Sequence, residues 1–416
     1  MNNLNKRNLS QREQVRSIGL NGNYWYAAEL SKNLSIGKSC EVIFWNSPIA
    51  IFRGVDGKVR ALENRCAHRQ LRLTSGIVDG NNIICQYHGW TYDECGKCIA
   101  ISHEIGSKRK DRIPKIKIKT YPVQEKYGII WIFPGDLEMA SKVALPAIPQ
   151  LDSGRPWKFV PIDITINAHF SMILENVCDF NHAFLHRKYR PFTDPHLIDH
   201  HREGDIITME YETDLSQSQV VKVAGENQGK SFDKMTLWYH YPYQASNIAD
   251  TYLHWLFMLP IDEKTTRCIF VFLFGSFEIP YIHLNIPRIF HKSLIKLINK
   301  FYVIPLLKED LWALEEEMLG HERFPEKHHY EFNPIVNALQ KMSLEKWAEY
   351  LKSQSDRLSR GKKSPGEDLS PGGGLRKQDI LEFRDSTKIT EQEAHKKDDT
   401  SGIVKETPES SEKIIL

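Results

Sequence analysis

Two short pairs of metal-binding side chains stand close together early in the chain: Cys66-Ala-His68, then sixteen residues, then Cys85-Gln-Tyr-His88. Two thiolates on one iron and two imidazoles on the other make the asymmetric ligand set of a Rieske [2Fe–2S] centre. Neutral imidazole removes negative charge from the cluster and raises its potential above that of an all-cysteine ferredoxin. Each pair predicts a loop tip at which backbone N–H groups can point at the sulfurs and tune that potential. Zinc competes for such residues, and Cys95-x-x-Cys98 follows nearby. A zinc ribbon, however, pairs two Cys-x-x-Cys knuckles, whereas both pairs here run cysteine first and histidine second. The ligand types therefore favour the cluster, which leaves Cys95 and Cys98 as turn residues around Gly96.

A second constellation lies in Glu175-Asn-Val-Cys-Asp179-Phe-Asn-His182-Ala-Phe-Leu-His186. On a helix, His182 and His186 share one face. Two histidines and one carboxylate form the facial triad of mononuclear non-haem Fe(II) oxygenases, with positions left open for O₂. The carboxylate should come from elsewhere in the chain. Asp310 is the first candidate and Glu309 the second, and Asp179 is close enough to the histidines for some geometries only. An i,i+4 pair among 17 histidines is weak evidence alone. It gains weight downstream of a one-electron cluster, which needs somewhere to send electrons. His200-His201 and His328-His329 compete and are read as loop or surface residues.

These groups need elements to position them. From Tyr24 to about Gly135 the chain runs in short β segments bounded by Gly, Asn and Asp, which suits a small antiparallel domain. The stretch from Ile173 to Tyr189 has helical periodicity. Alternating strands follow around 205–214, 234–243, 251–261 and 266–277, then helical blocks from about Arg288 to Gly320 and from Pro334 to Leu351. The expected architecture is α+β: a flexible arm (1–20), an N-terminal antiparallel β Rieske domain (21–135), a linker (136–156), a C-terminal catalytic domain of antiparallel sheet flanked by helices (157–352), and a disordered tail (353–416), whose charged, Gly/Pro/Ser-rich composition buries too little apolar surface to order.

Composition narrows the function classes. The 416 residues are 41% hydrophobic and 26% charged, with a formal net charge of +2, so electrostatics suggests no nucleic-acid partner. The N-terminus lacks an apolar signal core, and no stretch approaches the ~20 apolar residues of a spanning helix. Seven unevenly spread cysteines argue against a disulfide framework and for a reducing, cytoplasmic compartment. A membrane-peripheral position stays open through Ile279–Leu307, which is amphipathic and basic; a helix covering the active site or a subunit interface is the favoured reading there.

The motifs together resemble the Rieske non-haem iron oxygenases, terminal oxygenase (α) components, over about residues 22–350. Asn23-Tyr-Trp-Tyr26 is similar to the family's N-terminal opening. Cys66-Ala-His68-Arg69 and Cys85-Gln-Tyr-His88-Gly89-Trp90 resemble its cluster boxes. Asn176-x-x-Asp179-x-x-His182-x₃-His186 resembles its iron box, and Glu309-Asp310 with Glu315 the segment supplying the third ligand. The first box departs from the family's usual His-Arg-Gly by reading His68-Arg69-Gln70. The histidine spacing is x₃ rather than the frequent x₄.

The resemblance implies a homotrimer in which each cluster faces a neighbour's mononuclear iron. His182, His186 and Asp310 would bind Fe(II). Asp179 would bridge a cluster histidine and an iron histidine across the interface, in electron transfer rather than ligation. It also implies electrons from NAD(P)H through a separate reductase or ferredoxin, since the chain has no Gly-rich dinucleotide fingerprint of its own. The pattern sits nearer the monooxygenases and demethylases than the dihydroxylating enzymes.

The expected substrate is a bulky ring-containing or hydrophobic small molecule, hydroxylated, demethylated or desaturated. The strands carry many aromatics that could line its pocket: Trp238, Tyr239, Tyr241, Tyr243, Tyr252, Trp255, Phe257, Phe272 and Phe274. Such residues in strands are more often plain core. The alternatives are a Rieske electron carrier without oxygenase chemistry and a zinc-stabilised binding module.

Overall fold

The structure, a computed structural model, describes residues 9–101, 113, 115–153, 157–216, 233–248, 252–274, 277–279, 284–325, 327, 330–359 and 378–380. His328-His329 and nearly all of the expected tail lie outside the described residues.

The N-terminal half contains three small antiparallel sheets. One pairs β1 (Tyr26–Leu30) with β11 (Ile129–Ile132) and β10 (Val123–Lys126). A second runs β2 (Ser39–Phe44), β3 (Ser47–Arg53), β4 (Val59–Glu63), β9 (Thr120–Tyr121). The third runs β5 (Ile77–Asp79), β6 (Asn82–Ile84), β7 (Thr91–Tyr92), β8 (Cys98–Ala100). The β2–β3 turn is Trp45-Asn46, both at positive φ (44° and 65°), as a two-residue hairpin turn requires. A tryptophan is strained there, and contacts with the C-terminal half hold it. Trp45 N–H donates to the Pro260 carbonyl at 2.8 Å and Asn46 N–H to Ile261 at 2.7 Å. The Trp45 indole meets the edges of His169 and Trp347. A Cβ on Gly19 would stand 2.7 Å from that indole, so only glycine fits.

The C-terminal half is built on a seven-stranded antiparallel sheet. In chain order its strands are β12 (Ile162–Ile166), β13 (Thr193–Glu203), β14 (Ile206–Asp214), β15 (Asp233–His240), β16 (Tyr243–Ile248), β17 (Tyr252–Pro260) and β18 (Thr266–Phe274). The spatial order is β12-β18-β17-β16-β15-β14-β13. Period-two alternation gives it two buried faces. Met209, Leu237, Leu256 and Phe270 point into the cluster shared with Cys178, Phe180 and Phe192. Tyr243, Trp255, Phe257 and Val271 point the other way, against Trp25 and Trp131 of the first half. The expected aromatic lining therefore divides. Tyr239, Tyr241, Phe272 and Phe274 face the helices. Trp238, cross-strand from Ala245 and hence from Trp255, joins the opposite face.

Three boundaries differ from expectation. The helix from Phe170 stops at Cys178, because Asp179 turns to extended backbone (φ −99°, ψ 96°) and its carboxylate caps a new 3₁₀ turn, Phe180–Phe184. The last helix runs Pro334–Ser359, past its expected end at Leu351; Tyr350, Leu351 and Gln354 are buried along it. The N-terminal segment is no loose arm from residue 9 onward. Ser10 and Glu13 form a capping box on helix Gln11–Val15, and Val15, Ile18 and Leu20 are core residues.

Arg16 shows why that segment is fixed. Its guanidinium is buried and bidentate on Glu175 (2.8 and 2.7 Å). It also reaches Ser171 and, at 3.3 Å, Glu317 of the helix Ile304–Arg323. Gln340 of the last helix donates to the same Glu175 at 3.0 Å. One ion pair thus ties the N-terminal helix to three others. Replacing Arg16 by Met should cost about 3–5 kcal/mol, because Glu175 is left buried without its counter-charge. A Glu175→Leu partner substitution should recover part of the loss. Urea denaturation checks this, and a single variant within about 1 kcal/mol of wild type would remove the clamp from the account.

Candidate metal centres

The two Cys/His loops have matching backbone designs. Cys66 N–H donates to the Leu71 carbonyl and Gln70 N–H to Cys66; Cys85 N–H donates to Trp90 and Gly89 N–H to Cys85 (2.8, 2.8, 2.8 and 3.0 Å). Both cysteines are buried with Leu73, Ile83 and Tyr92. The Cys85 thiol is pushed up by burial and by the neighbouring Cys66 thiol, while N–H groups of Tyr87 and His88 on its sulfur pull the other way. Tyr92 Oη accepts from Ala67 N–H at 3.0 Å and lies 3.4 Å from Cys66 Sγ.

The imidazoles lie outward of the sulfurs. His68 is exposed and His88 half-buried, with ring centroids 4.6 Å apart and His68 stacked on Trp90. Two converging thiols below two converging imidazoles, with main-chain N–H groups aimed at sulfur, fit a Rieske cluster. Cys95 is exposed and Cys98 buried. Asp93 accepts the N–H groups of Cys95 and Lys97 in the turn at Gly96, a structural arrangement as expected.

Gln70 has φ 63° and Gly89 has φ 64° at equivalent loop positions. The first loop therefore keeps the left-handed residue without glycine. Gln70→Gly should relieve up to about 1 kcal/mol of strain, less the added freedom of the unfolded chain. The expected result is a melting midpoint equal to or above wild type with an unchanged visible spectrum. A clear fall would mean that the glutamine side chain supports the loop.

The second centre is assembled from two places in the chain. His182 sits in the 3₁₀ turn and His186 just beyond it; Asp310 projects from the helix Ile304–Arg323. One ligand atom from each lies within 4.8 Å of the others. The histidines do not share one regular α-helix, because His182 lies in a 3₁₀ turn that ends at Phe184, yet their rings still stand 5.1 Å apart.

The back of each ring is held. His182 Nδ1 donates to the Asp179 main-chain carbonyl, and His186 Nδ1 donates to Glu309 Oε2 at 3.0 Å. Both Nε2 atoms are thereby left as acceptors, and they face Asp310 Oδ1 at 3.6 and 3.2 Å. Two imidazole nitrogens and one carboxylate oxygen converging on one point could hold a metal ion, and this donor set fits Fe(II). Asn176 Nδ2 approaches the same carboxylate at 3.5 Å. Glu309, the alternative ligand, sits behind His186 and positions it.

Burial pushes the His182 imidazolium down against the attraction of Asp310. At His186 burial also pulls down, but the hydrogen bonds and charges of Asp310 and Glu309 outweigh it and the pKa is raised. Phe180 and Phe192 wall the rings. A cavity of about 760 Å³ opens beside them, lined by Asn176, His182, Arg187, Lys308, Glu309 and Trp312. Asp179 is half-buried. Its carboxylate caps Asn181 N–H at 3.0 Å, and its main-chain carbonyl holds His182 Nδ1.

Other sequence candidates go elsewhere. His200 and His201 are exposed on the edge strand β13 rather than in a loop. Sequence reasoning missed His254, on β17. It lies cross-strand from Ser246 and Phe272, in the row of Leu237 and hence on the iron-side face. It is buried and kept neutral by that burial, its pKa lowered to about 3. Its Nε2 has no hydrogen-bond partner among the described residues. The signal that could have found it is a polar residue at an inward position of an otherwise apolar strand.

A cluster-binding β domain joined to a two-histidine, one-carboxylate centre on an antiparallel sheet defines a class: iron oxygenases fed by a Rieske cluster. Residues 24–122 match the Rieske [2Fe-2S] domain, and 166–292 the vanillate O-demethylase oxygenase C-terminal domain. The chain is 49% identical over 345 residues to the 4beta-methylsterol monooxygenase of Methylococcus capsulatus, covering 83% of this chain and 93% of that one. Chlorophyllide a oxygenase of Arabidopsis thaliana is 33% identical over 39% of this chain and 28% of its own. Dicamba monooxygenase bound to 3,6-dichlorosalicylic acid superposes with a TM-score of 0.65 at 18% identity, over 83% of this chain and 100% of that one, a likeness of fold. The chain belongs to the Rieske non-haem iron oxygenases, as a terminal oxygenase component. Its cofactors are a Rieske cluster and mononuclear iron, with O₂ as oxidant and electrons from a separate reductase or ferredoxin. No helix among the described residues is long and apolar enough to cross a membrane.

Proposed function

We propose that the protein monooxygenates a bulky, ring-containing lipid with His182, His186 and Asp310 as iron ligands and Cys66, His68, Cys85 and His88 as cluster ligands. The convergence of two imidazole Nε2 atoms and one carboxylate oxygen carries the iron assignment. When bound, the cluster supplies single electrons and the iron activates O₂. The chain's own side chains do the rest. Glu309 and the Asp179 carbonyl fix the two ring orientations, and Phe180 and Phe192 pack against the rings. The 49% identity to a methylsterol monooxygenase supports a polycyclic lipid as substrate.

In this reading the oxygenase is a homotrimer, and Asp179 links a partner subunit's cluster to His182. The exposed imidazole of His68 and the half-buried Asp179, whose carbonyl holds His182, support it. Metal analysis tests the assignment: about three irons and two acid-labile sulfides per chain are expected. Two irons would indicate an electron carrier, and zinc without visible absorption would sink both readings. Sterol-dependent O₂ uptake with a surrogate reductase tests the substrate.

His254 and Ser246 place the polar pair Nε2 and Oγ on an apolar face (Nδ1 to Oγ, 3.5 Å). In this reading His254 Nε2 bonds a hydroxyl or carbonyl oxygen of the substrate and sets its orientation. His254→Leu should lower kcat/KM for an oxygenated lipid about tenfold or more, and should spare a deoxy analogue. Equal loss on both substrates would make the residue structural.

A further inference from the structure

Arg288, Lys292, Lys296 and Lys300 recur every four residues along a continuous rod. The rod comprises the 3₁₀ turn Arg288–Phe290, the helix His291–Ile298 and the π-turn Asn299–Val303. All four cations are exposed. The adjacent row carries Ile289, Leu297 and Phe301, which are 81%, 53% and 66% exposed, with Phe290 at 55% beside it. The opposite side is committed to the core. His291, Ile295, Asn299 and Val303 are buried there, and Asn299 Nδ2 donates to the Val160 carbonyl at 3.1 Å. From Ile279 to Lys308 the chain has no Asp or Glu, although it holds 53 acids in 416 residues. The outward face is thus an apolar row laid against a cationic row with no acid in its own segment.

This pattern suits an anionic lipid surface. Large apolar side chains enter the acyl boundary while adjacent cations meet lipid phosphates. A second copy packed self-complementarily would set cations against cations. A polar protein partner would answer the charges but leave four large apolar side chains without a matching surface. The rod also continues directly into Ile304–Arg323, which carries Asp310 and, at the cavity, Lys308 and the 61%-exposed Trp312. We infer that the face formed by Arg288, Ile289, Lys292, Lys296, Leu297, Lys300 and Phe301 rests on an anionic bilayer, placing the iron-side cavity near a lipid store. The supply of a lipophilic substrate from that store rests on the proposed function; the membrane contact itself does not.

Co-sedimentation of the full chain with vesicles tests it, using phosphatidylcholine alone or mixed with phosphatidylglycerol. Binding is expected only with phosphatidylglycerol present, and should weaken as salt is raised. Lys292→Glu with Lys296→Glu should weaken it by roughly tenfold or more. Ile289→Asp with Phe301→Asp should do the same while the visible spectrum stays that of wild type, which shows that the fold is kept. Equal partition onto both vesicles, no partition onto either, or unaltered binding by both variants overturns the inference. So does a change of sedimentation coefficient in the variants without lipid, which would make the face a contact between copies. Because no turnover is measured, an absence of sterol-dependent O₂ uptake would fault the substrate reading and leave this result standing.

Discussion

Asp310→Ala is expected to keep the visible iron–sulfur spectrum, retain about two irons per chain instead of about three, and turn over at least about a thousandfold more slowly. Asp310 Oδ1 faces both Nε2 atoms at 3.2 and 3.6 Å, and no other carboxylate among the described residues joins that set. Glu309 cannot replace it without leaving His186 Nδ1, which it holds at 3.0 Å. The side chain is half-buried at the surface of a long helix, and alanine is the best helix former, so the fold should persist. Colorimetric iron and sulfide analysis alongside single-turnover product formation checks this. A variant that keeps its third iron would move the carboxylate ligand elsewhere.

Asp179→Asn is expected to retain both metals and lose at least about a hundredfold in turnover. The substitution is nearly isosteric, and asparagine caps the Phe180–Phe184 turn as well as aspartate does, so the His182 carbonyl contact should survive. Only the negative charge is removed. If Asp179 links the cluster of one subunit to the iron of the next, a neutral amide weakens that route while the spectrum stays unchanged. Reduction of the cluster should remain normal, with its reoxidation in the presence of substrate and O₂ slowed. Wild-type turnover would exclude the carboxylate from the electron path, and loss of iron would make it a support of the iron site.

Much of the chemistry is legible in the sequence. The proposed cluster ligands come as two local pairs, and a pair three or four residues long is positioned by its own loop. His182 and His186 were legible for the same reason, even though the helix expected under them breaks at Asp179. Gln70 shows the limit of local rules: the loop needs φ near 63°, and the chain adopts it without glycine. The β-rich first half, the antiparallel sheet of the second half and the helices near the C-terminus also followed from local periodicity.

What remained open depended on partners far away in the chain. Asp310 and Glu309 are adjacent carboxylates, and nothing in their sequence says which turns toward Nε2 and which toward Nδ1. The angular position of each on its helix, packed against a segment 123 residues earlier, decides it. The polar N-terminal segment looked loose because Arg16 finds Glu175 only across 159 residues. The strand aromatics looked like one pocket lining, yet the sheet buries both faces and sends Tyr243, Trp255 and Phe257 into the cluster that holds Trp131. His254 is one histidine among 17 until strand register places it opposite Ser246 and Phe272. The sequence by itself determined which groups can bind iron and sulfur, because ligand type and short spacing are local properties. Only the tertiary structure decided which carboxylate meets the two Nε2 atoms and which faces are open, because convergence and burial depend on how distant segments pack.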